Sequence, residues 1–197
     1  MDENLAEEID FVSKMLIKSG FYDEEDIFEI LEDQFIEEDI DFDEITLPVV
    51  DLNDFNNENF LNLEKTFNEL ASMDIIAIHN CGYDIEEGVA DAFELFIHLR
   101  NNKLESRGFC FYTYEDIEES ICKGTLNITF GDFDEDEDKA LEIGKVVAEV
   151  LINNDFNIEW DETINTQIKI NPFKWDKSYD EKEYGMEGAF ETFKKNH

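Results

Sequence analysis

Lysine and arginine are scarce in this chain: 15 of 197 residues, against 52 Asp and Glu, which leaves a formal net charge of -37. So few bases cannot offset the repulsion from a phosphate backbone or an anionic lipid surface. Direct binding to nucleic acid or membrane is therefore not expected, and the favoured partners are basic protein surfaces or cations. No run approaches the roughly 18 apolar residues that a membrane-spanning helix needs, and the acids of the opening MDENLAEEIDF stand where a secretory signal would carry bases. A cytoplasmic location is expected. Cysteine is limited to Cys81, Cys110 and Cys122, with no C-x-x-C pair and no even disulfide set, which fits free thiols in a reducing compartment. Proline (2) and glycine (9) are also few.

What is present argues for a folded chain. High net charge with low hydrophobicity marks disorder, but here 42% of residues are hydrophobic and 18 are Phe, enough for a core in a chain of this size. Leu5, Ile9, Val12 and Leu16 form one helical stripe that ends near Gly20. Asp23 then caps a second helix with Glu24, Glu25 and Asp26 in its first turn and Ile27, Ile30 and Leu31 inward. From Phe21 to Leu47 there are 13 acids and no Lys or Arg. The turn formers of LPVVDLNDFNNEN place a boundary near residues 45–57.

Beyond it, Phe60, Leu63, Phe67 and Leu70 keep helical spacing and lead into the short apolar run Ile75–Ile78, read as a buried strand. HNCGYD is a turn, and residues 89–99 read as a helix with Val89, Phe93, Phe96 and Ile97 inward. GFCFYT is a strand, YEDIEESICKG a short helix stopped by Gly124, and TLNITFG another strand. An acidic loop, Asp132–Asp138, precedes a helix carrying Leu141, Ile143, Val146, Val147, Val150 and Leu151, and FNIEW and QIKIN close the order as strands. The expected fold is α+β: a mixed sheet of about five strands with packed helices over residues 57–175, an acidic helical region over 1–45 and a C-terminal tail over 176–197.

Residues 60–175 resemble a family of uncharacterised bacterial proteins grouped as a domain of unknown function. The likeness rests on LEKTFNELASMDIIAIHNCGYDIEEG, GFCFYTYEDIEESI, LNITFG, GKVVAEVLINNDFNIEWD and QIKINPFKW, in that order. It implies a fold and brings no established activity. Members tend to carry further cysteines near the turn after the first strand and Gln at the position of Glu115. This chain has Cys81 alone at that turn, so the resemblance brings no metal role with it.

Three constellations have chemical potential on paper. His79 and Cys81 end the first strand and could pair as base and nucleophile, yet Asp84, Glu86 and Glu87 nearby oppose a thiolate. Asp132, Asp134 and Asp136 match positions 1, 3 and 5 of an EF-hand loop, but Glu137 stands where the turn needs Gly and Ile143 where the bidentate Glu belongs. The spacing of the three cysteines suits no structural zinc site, and Cys110 and Cys122 read as small core residues.

The remaining feature is the acidic surface. It concentrates on Asp23, Glu24, Glu25, Asp26, Glu29, Glu32, Asp33, Glu37, Glu38 and Asp39, on Glu115, Asp116, Glu118 and Glu119, and on Asp132, Asp134, Glu135 and Asp136. From Lys174 onward five Lys face six acids, so nearly all of the imbalance lies in residues 1–173. Carboxylates in rows offer a basic cleft a field comparable to that of DNA, which has one charge per about 1.7 Å. The expectation is a non-enzymatic protein, without a cofactor, that neutralises a basic partner as an immunity protein or nucleic-acid-mimicking inhibitor does. A thiol enzyme using Cys81 and His79, and a domain whose charge serves only solubility, are the alternatives.

Overall fold

The computed structural model describes residues 3–36, 38 and 40–197. They fall into two compact units, one holding the chain up to Asn57 together with Asp176–Glu181, the other Glu58–Trp175 together with Lys182–His197.

The first unit contains helices α1 (Glu3–Ser19) and α2 (Glu24–Gln34) and a single 3-10 turn, Phe42–Glu44. Gly20 ends α1 in the left-handed region, with φ of 72°. A side chain there would also meet the carbonyl oxygen of Lys177 at 2.4 Å, so glycine is required twice over. Lys177 is buried and donates to the carbonyls of Gly20 (2.7 Å) and Ser178 (3.2 Å) and to the Asp180 carboxylate (3.3 Å). Asp23 and Asp26 close a reciprocal capping box at the start of α2, and Ile27 and Leu31 are its buried side chains. Residues 45–57 form neither helix nor strand.

The second unit is built on five strands: β1 (Ile75–Ile78), β2 (Gly108–Phe111), β3 (Leu126–Gly131), β4 (Ile158–Glu159) and β5 (Ile168–Ile170), in the order β1-β2-β3-β5-β4. β1 and β2 are parallel and the other pairings antiparallel, so the sheet is mixed and the fold is α+β. A parallel pair needs a crossover, and helix α4 (Ile85–Asn101) supplies it. The remaining helices are α3 (Glu58–Ala71), α5 (Tyr114–Lys123), α6 (Glu137–Asn153) and α7 (Met186–Lys195).

The strand period sends alternate residues of β1 to opposite faces. Ile76 and Ile78 join Phe109, Phe111, Ala92, Leu95 and Leu99 in one apolar cluster beneath α4. Ala77 and the following His79 turn to the other side, where His79 stacks on Phe67 of α3. β1 is an edge strand, and α7 packs on it and places Ala189 and Phe193 in the same cluster as Ile76. A sheet edge covered by a helix is closed to further pairing.

Three expectations change. The inward face of α4 is Gly88, Ala92, Leu95 and Leu99, not Val89, Phe93 and Ile97, which are exposed. The reason is the closeness of helix to sheet at its amino end: a Cβ on Gly88 would lie 2.5 Å from the Phe111 ring, so the face that starts with Gly88 is the one that can turn inward. The tail likewise does not behave as one piece, because its first part belongs to the first unit and its end is the packed helix α7. Cys110 is buried as expected, whereas Cys122 is exposed.

Burial raises the Cys81 thiol well above its ordinary 9.0, with help from the negative charge of Asp91, and burial alone raises Cys110 in the same way. Unfolded thiols release protons above about pH 9 while the folded ones keep theirs. The folded state then holds more protons, and its stability falls as pH rises. The second unit should therefore lose about 1.4 kcal/mol per pH unit for each thiol above that point. Trp160 and Trp175 both lie in this unit, so denaturant melts followed by tryptophan fluorescence at pH 8 and pH 10 will show the loss, and Cys81→Ala with Cys110→Ala will reduce it.

Candidate functional site

In the first unit, the acids assigned to α2 take the outer surface as its sequence pattern dictates. Glu24, Glu25, Asp26, Glu29, Glu32 and Asp33 are exposed, as is Glu38, while Asp23 is half-buried at the cap. None of the six exposed helix acids pairs with a Lys or Arg among the described residues. Glu37 and Asp39 lie outside the described residues.

In the second unit, α5 begins where the turn after β1 ends. The amides of Tyr114 and Glu115 donate to the carbonyls of Gly82 and Tyr83 (both 3.1 Å), and the Tyr114 and Tyr83 rings stack at 6.0 Å. This seat turns the four acids of α5 in different directions. Glu115 is exposed and Glu118 and Glu119 are half-buried. Asp116 is 5% exposed and belongs to the interior. Its carboxylate accepts from the Thr113 amide and hydroxyl (3.0 Å each), from Asn127 (3.2 Å) and from Gln167 (3.4 Å). Burial raises its pKa, and these hydrogen bonds offset only part of the rise. Asp116 was expected on the surface because a capping-box acid and an exposed acid look alike in sequence. The separating signal was Thr113 three residues earlier, which completes the box.

The acidic loop is folded on itself. The Asp132 carboxylate accepts from the amides of Asp134 (2.9 Å) and Asp136 (3.0 Å), Asp136 caps α6, and Asp134 pairs with Lys139 at 2.6 Å, which holds its carboxyl below the usual range. Glu135 adopts a positive φ of 56° and is exposed. Among the described residues, no group of three or more His, Cys, Asp and Glu side chains is placed to hold a metal ion.

Between these two acidic places runs the outward row of α4. Ile85, Val89, Phe93 and Ile97, four residues apart and 39 to 49% exposed, form one apolar strip along the helix. Tyr83, itself exposed, stands at its amino end, where burial and the charges of Glu118 and Glu115 raise the phenol pKa. At the carboxyl end Phe96 stacks on Phe133 of the acidic loop, with centroids 4.0 Å apart, and Arg100 lies over the Phe96 ring and feels the charge of Asp134. Sequence reasoning missed this strip because it assigned its large side chains to the core.

His79 and Cys81 are not brought together. Cys81 directs its sulfur to the Gly88 carbonyl (3.4 Å) inside the cluster under α4. His79 places Nδ1 2.8 Å from the Tyr112 hydroxyl, stacks on Phe67 at 4.5 Å and meets Tyr184 edge-on at 5.6 Å. It also lines a cavity of about 420 Å³, whose rim includes Lys65, Lys182 and Lys195.

Sheet and helices thus define an α+β domain on a five-stranded mixed sheet. Residues 56–179 match the model of the Domain of unknown function (DUF6891), and the chain belongs to that family. No curated protein and no solved structure matches the chain. Among the described residues no helix is long and apolar enough to cross a membrane.

The two classes of acid separate experimentally. Asp116→Ala leaves Asn127 and Gln167 short of an acceptor and should cost about 2 kcal/mol, the range for hydrogen bonds to a charged group. Glu115→Ala should stay within about 0.5 kcal/mol of the parent. Denaturant midpoints of the two variants check the difference.

Proposed function

We propose that the protein is a non-enzymatic binding protein that neutralises a basic protein partner. The observation that carries the reading is the exposed apolar row of α4 framed by acids: Glu115 and Glu118 at one end, the Asp132–Asp136 loop at the other. Exposed apolar side chains in a row supply burial energy on association, and the acids around them select a partner surface rich in Lys and Arg. Glu118 is already raised in pKa by burial and by Glu115, and Asp91 on α4 by burial, Glu94 and Glu87. An approaching cation relieves that crowding. The outer face of α2 adds a second anionic surface in the other unit.

A partner that itself handles nucleic acid suits such carboxylate rows, and inhibition or immunity is the form its neutralisation takes. Charge kept only for solubility gives no reason for an apolar strip to be framed by acids. The thiol reading is weakened because burial and Asp91 both oppose ionisation of Cys81.

A pull-down from the native cell extract at low salt tests the proposal. It should recover a basic protein whose affinity drops at least ~10-fold at high salt, since surface charge is screened. Phe93→Ser with Val89→Ser should weaken binding about 30-fold, the effect of losing a central apolar anchor, and Glu115→Lys with Glu118→Lys should abolish it at low salt. Recovery of no basic partner, or binding indifferent to salt and to both variants, contradicts the reading.

A further inference from the structure

Against the trend of the whole chain, the cavity beside His79 is lined by bases. Of the 15 Lys and Arg in the sequence, three converge there from separate parts of the second unit: Lys65 from α3, Lys182 from the segment before α7, and Lys195 from the end of α7. Two acids share the lining, Glu64 and Glu183, and Glu64 is already paired with Lys182. Lys65 and Lys195 form no salt bridge among the described residues. A volume of about 420 Å³ falls in the range of small-molecule pockets. Its inner wall is aromatic and fixed: Phe67, Tyr184 and His79 are all buried, and the imidazole is held by Tyr112 and by stacking on Phe67. Lys182 also lies 5.0 Å from the Tyr184 ring centroid.

We propose that this cavity binds the phosphate group of a small phosphorylated molecule between Lys65, Lys182 and Lys195, with the body of the molecule against Tyr184 and His79. Three ammonium groups from three directions suit a compact, multiply charged anion, which lysine meets as a point charge. The Lys182 pKa is lowered by burial and then by the like charge of Lys195, a repulsion that a bound dianion removes. The net charge of -37 does not forbid this, because the rest of the surface acts through solvent with a screening length of about 8 Å at physiological salt, while the lysines act at contact. It also keeps anions off the remaining surface, so occupancy is confined to the pocket.

Phenyl phosphate and benzoate, titrated into the full chain by calorimetry, provide the test. Phenyl phosphate should bind at one site, benzoate at least ~10-fold more weakly. Lys182→Gln with Lys195→Gln should weaken phenyl phosphate by roughly tenfold or more, the effect of losing charge-assisted bonds, and Lys139→Gln, in the first turn of α6, should change nothing. Thermal melts of the variants confirm that they are folded. No binding of phenyl phosphate, equal binding of benzoate, or binding that survives the double substitution overturns the proposal. None of these variants touches the α4 row, so the partner-binding proposal stands or falls apart from this one.

Discussion

Everything in the larger unit depends on the pleat of a four-residue strand that is buried on both faces. β1 places Ile76 and Ile78 under α4 and sends Ala77 and His79 to the opposite side. A shift of one residue would exchange the two sets. Ile78 would then enter the aromatic cavity in place of an imidazole that bonds Tyr112, and His79 would be forced into a cluster of Ile, Leu and Phe side chains that has no hydrogen-bond partner for it. The parallel pairing of β1 with β2 requires the crossover helix, and the contact between Gly88 and Phe111 sets how closely that helix lies. That closeness turns the face with Gly88 inward and leaves Val89, Phe93 and Ile97 outside.

Two electrostatic regimes follow from this frame. Outer surfaces carry carboxylates that either crowd one another, as Glu115 and Glu118 do, or are consumed by backbone amides, as in the loop after β3. The cavity on the other side of β1 draws its lysines from α3 and from the end of the chain. Self-repulsion among so many acids lowers the stability of the compact state, and the packing of aromatic residues on both sheet faces offsets it. Phe60, Phe67, Tyr112, Trp175 and Tyr184 surround the imidazole side, and Phe109, Phe111 and Phe193 fill the other.

Much of this was legible in the sequence wherever local rules decide the outcome. The β-branched run at Ile75–Ile78, the stripe Phe60, Leu63, Phe67 and Leu70, the Asp23 cap and the stop at Gly124, with φ of 73°, each rest on a few neighbouring residues. The face of α4 was not legible by size alone. Gly88, Ala92, Leu95 and Leu99 have as good a helical spacing as Val89, Phe93 and Ile97, and only the presence of the Phe111 ring decides between them. Lys65, Lys182 and Lys195 lie far apart in sequence and meet only because α7 returns to the edge of β1, so no local pattern could announce the cavity. Asp116 is half legible: Thr113 three residues earlier marks it as a capping-box acid, but its partners Asn127 and Gln167 are 11 and 51 residues away.

The exposed row and its acidic frame both depend on the orientation of α4. Hydroxyl-radical footprinting read residue by residue tests it directly. Phe93 and Ile97 should oxidise readily in the folded protein, while Leu95 and Leu99, on the same helix, stay protected until it unfolds. Protection of Phe93 and Ile97 together with rapid oxidation of Leu95 and Leu99 would contradict the account.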